Sequence, residues 1–275
     1  MKLSDDRKEW RDEKLVEDAL VIVERGRASG IVLRLLGAVA VGVHVKAFRA
    51  LYQRLARLGG DRRFTDIDLI SYRVQGSRVH RLLTKELGYN IDRRFAAYFG
   101  DQRFLYHHPE GAYDVDIFFD NLEFSHTIHL GSRPSKGRLE LDYPTLSLAD
   151  LVLEKVQIHE LNEKDVKDLV ALLREHSLST NEEQEKVNLD YIAKALADDW
   201  GFWYDAKANL NSVVAFAKKY AEQGRMSQDD FSDVEAKINT ILEHVDAEPK
   251  TEGWKRRARI GTARKWWRDV EELVR

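Results

Sequence analysis

Two stretches of this 275-residue chain alternate acidic and apolar residues so regularly that an extended strand is the natural home for each. In Thr65-Asp66-Ile67-Asp68-Leu69, a strand sends Asp66 and Asp68 to one face and Ile67 and Leu69 to the other. Tyr113-Asp114-Val115-Asp116-Ile117 repeats the pattern, with Asp114 and Asp116 sharing a face. Carboxylates set this close repel one another, and a hard divalent cation such as Mg²⁺ relieves the repulsion. If the two strands are neighbours, a third carboxylate completes a two-metal site or accepts a proton from an attacking hydroxyl. A lone D-x-D at a strand end is more often a solvated edge or turn. Two of them on two apolar strands favour a site.

The surrounding periodicity predicts a mixed fold. Leu15, Ala19, Leu20, Ile22 and Val23 recur at helical spacing and stop near Gly26 to Gly30. The apolar run 31–36 reads as a buried strand closed by Gly37, and 38–58 returns to helical periodicity before Gly59-Gly60. Strands are expected at 66–72 and 112–119, a helix at 77–87 and a hairpin over 94–106. Past Pro144 the pattern is helical, with Ser147 and Asp150 as candidate caps. The polar stretch 177–184 suggests a boundary, followed by helices at 187–198, 206–222, 228–245 and 262–274. The fold class expected is α+β, a mixed sheet flanked by helices and then an all-helical C-terminal domain. The domains are expected to be 1–178 (N-terminal helix 1–30, core 31–130, helical segment 145–178) and 179–275.

Composition narrows the chemistry. With no cysteine, thiolate metal sites and thiol nucleophiles are excluded, so any metal rests on carboxylates or histidines. No apolar run reaches the length of a membrane span, and no signal-peptide pattern opens the chain, so a cytoplasmic protein without a membrane partner is expected. His107-His108 and His126-x-x-His129 invite a zinc reading, yet no further ligand cluster accompanies them, and structural or exposed histidines are expected. Trp200, Phe202, Trp203 and Tyr204 read as core. Lys255-Arg256-Arg257-Ala258-Arg259 with Trp266-Trp267 combines charge and aromatic faces as a nucleic-acid surface does. The simpler reading packs Trp266 and Val270 inward and leaves the basic residues solvated.

Leu36-Gly37-Ala38 before a helix, then Arg63-Phe64-Thr65-Asp66-Ile67-Asp68, then Asp114-Val115-Asp116, resembles the nucleotidyltransferase superfamily of DNA polymerase β type. The chain looks most like the abortive-infection nucleotidyltransferase toxins, the AbiEii group, since Lys155 and Lys164-Asp165-Val166-Lys167-Asp168-Leu169 are similar to that group's helical lysine and K/R-D-x-x-D-L segment. The resemblance covers about residues 30–178. It implies that Asp66, Asp68 and Asp116 are catalytic and hold Mg²⁺ or Mn²⁺. It further implies that Gly37, Ala38, Arg63, Thr65 and Lys155 contact a nucleoside triphosphate, with Asp114, Asp165 and Asp168 as secondary candidates. The implied reaction moves a nucleoside monophosphate from the Mg²⁺-bound triphosphate to a hydroxyl of tRNA, of a protein or of a small molecule, and a toxin would have a cognate antitoxin. The superfamily has Gly-Gly or Gly-Ser where this chain has Gly37-Ala38. A binding module on the same fold, without catalysis, remains the alternative.

Overall fold

The computed structural model describes residues 12–59, 62–100 and 102–270. The first half runs α1 (Asp12–Ala28), β1 (Leu33–Leu36), α2 (Gly37–His44), α3 (Arg49–Leu55), β2 (Ile67–Ser71), α4 (Gly76–Arg81), β3 (Asn90–Ile91), α5 (Arg93–Phe99), β4 (Arg103–His107), β5 (Asp114–Phe119), β6 (Asn121–Glu123) and β7 (Thr127–His129). The second half runs α6 (Leu148–Val156), α7 (Glu163–Glu175), β8 (Ser177–Ser179), β9 (Lys186–Asn188), α8 (Leu189–Asp198), α9 (Trp200–Glu222), α10 (Gln228–Ala247) and α11 (Glu252–Ala258). A mixed α+β protein with a small mixed sheet and a helical C-terminal region is what the sequence led us to expect. The expected stretches at 1–11 and 271–275, and Gly60, lie outside the described residues.

By compactness the chain divides into two units. The first comprises Met1–Val43, Leu58–Asn121 and His129–Leu146, and the second comprises His44–Arg57, Leu122–Ile128 and Ser147–Arg275. Residues 147–178, assigned from sequence to the N-terminal domain, therefore fall in the second unit, together with 44–57.

The first unit is built on a five-stranded sheet in the order β1-β2-β5-β4-β3. β2 and β5 pair in parallel, while β1 with β2, β5 with β4 and β4 with β3 are antiparallel. The apolar positions read from the sequence are buried, Ile67, Leu69, Val115 and Ile117 all fully so, and in β5 the other face is buried too, Asp116 included. The stripe Leu15, Ala19, Ile22 and Val23 of α1 is buried as well, and Gly26 lets Leu33 approach, since a Cβ there would stand 2.8 Å from Leu33 Cδ1. At the outer edge of β1, Leu35 donates its N–H to Pro144 O and accepts from Leu146 N–H, so the edge is covered.

Two sequence expectations change in this unit. The helix expected over 77–87 is α4 followed by a π-helical turn, Leu82–Glu86. In place of a hairpin over 94–106 there is a short helix and then β4. Asp92 caps α5, its Oδ1 accepting from the N–H groups of Arg94 and Phe95 at 2.9 Å.

The second unit is helical. α7, α8 and α9 each pack against α10, and α3 packs on α7. Every helix from α6 to α11 starts at a side-chain cap, namely Ser147, Asn162, Asn188, Asp199, Ser227 and Thr251, each worth about 1 kcal/mol. Asp150 is thus the partner of the cap Ser147 and not a cap itself. The helix expected over 38–58 breaks after His44, because Glu175 takes the N–H groups of Lys46, Ala47 and Phe48 at 2.8 to 3.1 Å. The helix expected at 262–274 is absent among the described residues, where a 3-10 turn, Gly261–Ala263, leads into an irregular segment. That segment is held by Trp266, whose Nε1–H donates to Asp205 Oδ1 at 3.0 Å. The same carboxylate meets His126 Nε2 at 2.8 Å and His159 Nδ1 at 3.0 Å.

Candidate active site

The acidic strands are sheet neighbours, and their register sets Asp68 directly opposite Asp116. Parallel strands lie about 4.8 Å apart, so the two carboxylates leave adjacent backbone positions on one face of the sheet. Asp66 immediately precedes β2 and Asp114 opens β5, two residues back from each. Asp66 and Asp68 are half-buried, and Asp116 is fully buried.

Gly37 fixes where Asp68 sits. β1 runs antiparallel to β2 with Leu36 opposite Asp68, so the chain leaves the sheet beside that carboxylate. Gly37 has φ +68°, and a Cβ built on it would lie 2.5 Å from Asp68 Oδ2. Any side chain at position 37 would suffer both the left-handed backbone and the clash. The turn leads directly into α2, and such helix starts offer backbone N–H groups to anions. Ala38 is the second helical residue of that turn.

The neighbouring charges are organised. Arg103 on β4 grips Asp116 at two points, Nε to Oδ1 at 3.0 Å and a terminal nitrogen to Oδ2 at 2.7 Å. Its guanidinium also lies 4.6 Å from the Phe118 ring centroid. Asp114 Oδ1 pairs with His107 Nδ1 at 2.8 Å. Thr65 donates its hydroxyl to Asp66 Oδ1 at 2.9 Å. Arg63, expected to meet a nucleotide, is buried and paired with Asp12, Nε to Oδ2 at 2.9 Å. Arg103 is the site residue that sequence reasoning missed. Its signal is the same alternation, because Arg103, Leu105 and His107 occupy every second position of a strand beside β5.

Lys155, Asp165 and Asp168 belong to the second unit and form a buried ion cluster there. Lys155 Nζ lies 2.9 Å from Asp165 Oδ1, 3.2 Å from Asp168 Oδ2 and 3.5 Å from Glu154 Oε1. Arg57 and Tyr52 close on Asp168 Oδ1 at 2.8 and 2.6 Å. Burial alone would lower the Lys155 pKa, but the facing carboxylates Asp165, Glu154 and Asp168 reverse this and hold it well above its ordinary value. Burial likewise pushes Asp165 up, and Lys155 more than offsets it, so Asp165 ends below the usual carboxylate range. Lys155, for which the resemblance implied a triphosphate contact, thus joins α6 to α7 through these carboxylates.

The histidine pairs do not converge on a metal. His126 is buried against Asp205 and stacked on Phe202, while His129 is exposed and bonded to Asn121. In the basic stretch, Arg257 lies over Trp200, and Trp266 packs against Trp200 and Tyr204, so these aromatic faces are engaged within the unit. Lys255, Arg256 and Arg259 are exposed, as is Val270, which was expected to face inward. Trp200 and Phe202 are core residues, while Trp203 is half-buried and Tyr204 is exposed. Among the described residues no helix is long and apolar enough to cross a membrane.

Comparison of the chain with models of known protein families, with curated proteins and with solved structures finds no match.

Proposed function

We propose that the first unit binds a nucleoside triphosphate with a divalent cation and transfers its nucleoside monophosphate to an acceptor hydroxyl. The observation that carries this reading is the register pairing Asp68 with Asp116, with the Asp68 carboxylate laid against a side-chain-free turn at Gly37. The donor set suits a hard cation, since Asp66 and Asp68 supply oxygens at half-exposed positions and the space over Gly37 is closed to a Cβ. Asp66 and Asp68 would hold Mg²⁺, and a metal there supplies charge stabilisation to the phosphoryl group being transferred. The turn at Gly37-Ala38 would orient phosphate oxygens through main-chain N–H groups. Asp116 is the base candidate, and Arg103 holds it through two guanidinium contacts.

A second reading has its own observation. The Arg103 fork neutralises Asp116 without any metal, which suits a module that binds a nucleotide or a macromolecule and does no chemistry. One experiment separates the two. The full chain is incubated with each nucleoside triphosphate and Mg²⁺, with total RNA and protein extract as acceptors, and pyrophosphate release is followed. The catalytic reading expects metal-dependent release that Asp66→Ala with Asp68→Ala reduces at least about 100-fold, each tenfold loss being about 1.4 kcal/mol of transition-state stabilisation. Triphosphate binding that depends on Asp66 and Asp68 but yields no pyrophosphate with any acceptor would leave the binding reading standing and retire the catalytic one.

A further inference from the structure

A different set of residues, wholly within the second unit, meets at the C-terminal end of α7. His44 is the last residue of α2, His176 follows α7, and Glu185 precedes β9 with φ +57°. Glu175, next to His176, holds the N–H groups of Lys46, Ala47 and Phe48, which brings the segment after His44 to this end of α7. Glu185 Oε2 lies 3.3 Å from His44 Nδ1 and 3.3 Å from His176 Nδ1. One donor atom from each of the three residues falls within 4.8 Å of the others, and the two imidazole planes stand at 84°.

Both distances lie at the long end of hydrogen bonding and match the spacing of two ligands on one ion. The pairs His126–Asp205, His107–Asp114 and His244–Asp190 close to 2.8, 2.8 and 2.7 Å, whereas both contacts to Glu185 stop at 3.3 Å. Two ligands held about 2.1 Å from one ion at a tetrahedral angle are about 3.4 Å apart. His176 adds an independent observation. Its Nδ1 faces only acceptors, the Glu185 carboxylate and the Glu185 main-chain oxygen at 3.2 Å, and its Nε2 is buried without a hydrogen-bond partner. Whichever nitrogen carries the proton, the neutral ring keeps a lone pair that no donor meets, although the side chain is only 5% exposed.

We infer that His44, His176 and Glu185 form a binding site for a borderline transition metal of the Zn²⁺ class, with the remaining coordination position open to solvent on the side of Glu185, which is 52% exposed. Two imidazoles and one carboxylate select such an ion over Mg²⁺, which prefers an all-oxygen shell. The site is separate in residues and in metal preference from the acidic strands.

The test uses the full chain, freed of metal with a chelator and titrated calorimetrically with Zn²⁺. Co²⁺ serves as an optical probe of four-coordination. Wild type is expected to bind one equivalent of Zn²⁺ in competition with Co²⁺, and to do so equally well in an Asp66→Ala, Asp68→Ala background. Glu185→Gln, at an exposed position that spares the core, should weaken binding about 10-fold or more, and His176→Gln about 100-fold. Circular dichroism reports whether His176→Gln still folds, and Glu185→Gln decides the matter if it does not. The proposal is overturned if wild type binds no Zn²⁺ at micromolar concentration, if Glu185→Gln binds as wild type does, or if the ion is lost with Asp66 and Asp68.

Discussion

Replacing Arg103 by Met removes the guanidinium and keeps most of the aliphatic stem. Asp116, fully buried, then loses both of its contacts to Arg103 while its carboxylate stays in the sheet opposite Asp68. Breaking one side of a buried ion pair costs roughly 3–5 kcal/mol. Arg103 is itself 22% exposed, so water reaches the gap it leaves and the lower end of the range applies, about 3 kcal/mol. In a protein of this size that is a fall in melting temperature of about 6–12 °C. Urea denaturation followed by tryptophan fluorescence measures it directly. The double variant Arg103→Met, Asp116→Leu should recover part of the loss, since the buried charge that Arg103 faced is gone. If the acidic face also accepts Mg²⁺, the cation takes over the role of the guanidinium, and at 100 times its Kd it restores about 2.7 kcal/mol to Arg103→Met. A loss below about 1 kcal/mol without Mg²⁺ would show that the fork does not hold Asp116. A full loss that Mg²⁺ fails to reverse would count against Asp116 as part of a cation site.

Two further outcomes follow from the same geometry. Gly37→Ala should destabilise the chain by about 1–2 kcal/mol through its left-handed backbone and displace the Asp68 carboxylate, weakening Mg²⁺-nucleotide binding, whereas Ala38→Gly leaves Asp68 in place; melting and binding curves of Gly37→Ala that overlay wild type would refute this. Asp165 titrates below its ordinary value of 3.8, so the stability it contributes is fully present above that pH and is lost as pH falls through its lower folded value; Asp165→Asn should lose roughly 2 kcal/mol at neutral pH, less than for a lone buried pair because Lys155 keeps Asp168 and Glu154, and should show a shallower acid slope below pH 3.8 in urea melts.

Local alternation was the most legible feature of the chain. The pattern in 65–69 and 113–117 marked two strands and the sharing of faces, and the register supplied what alternation cannot, that the two strands adjoin with Asp68 facing Asp116. The breaks were illegible where remote groups substitute for local hydrogen bonds. Nothing within 38–58 announces that Glu175 will take three consecutive N–H groups, and nothing in 262–270 announces that Trp266 will leave helical geometry to reach Asp205. Asp92 before Arg93-Arg94-Phe95 was a readable cap signal that the hairpin reading passed over. Lys155 was legible as functional only by resemblance, and its three carboxylate neighbours give it a structural partner set that charge spacing alone did not reveal. His44, His176 and Glu185 come from three separate segments, so no linear motif could have joined them.

The indole of Trp266 seated on Asp205 turns the last described stretch of chain into a plug. Cutting the polypeptide just ahead of it would uncork a carboxylate and two imidazoles instead of trimming a loose end. Expression clones, affinity tags and proteolytic fragments of this protein therefore need residues 264–268 kept whole.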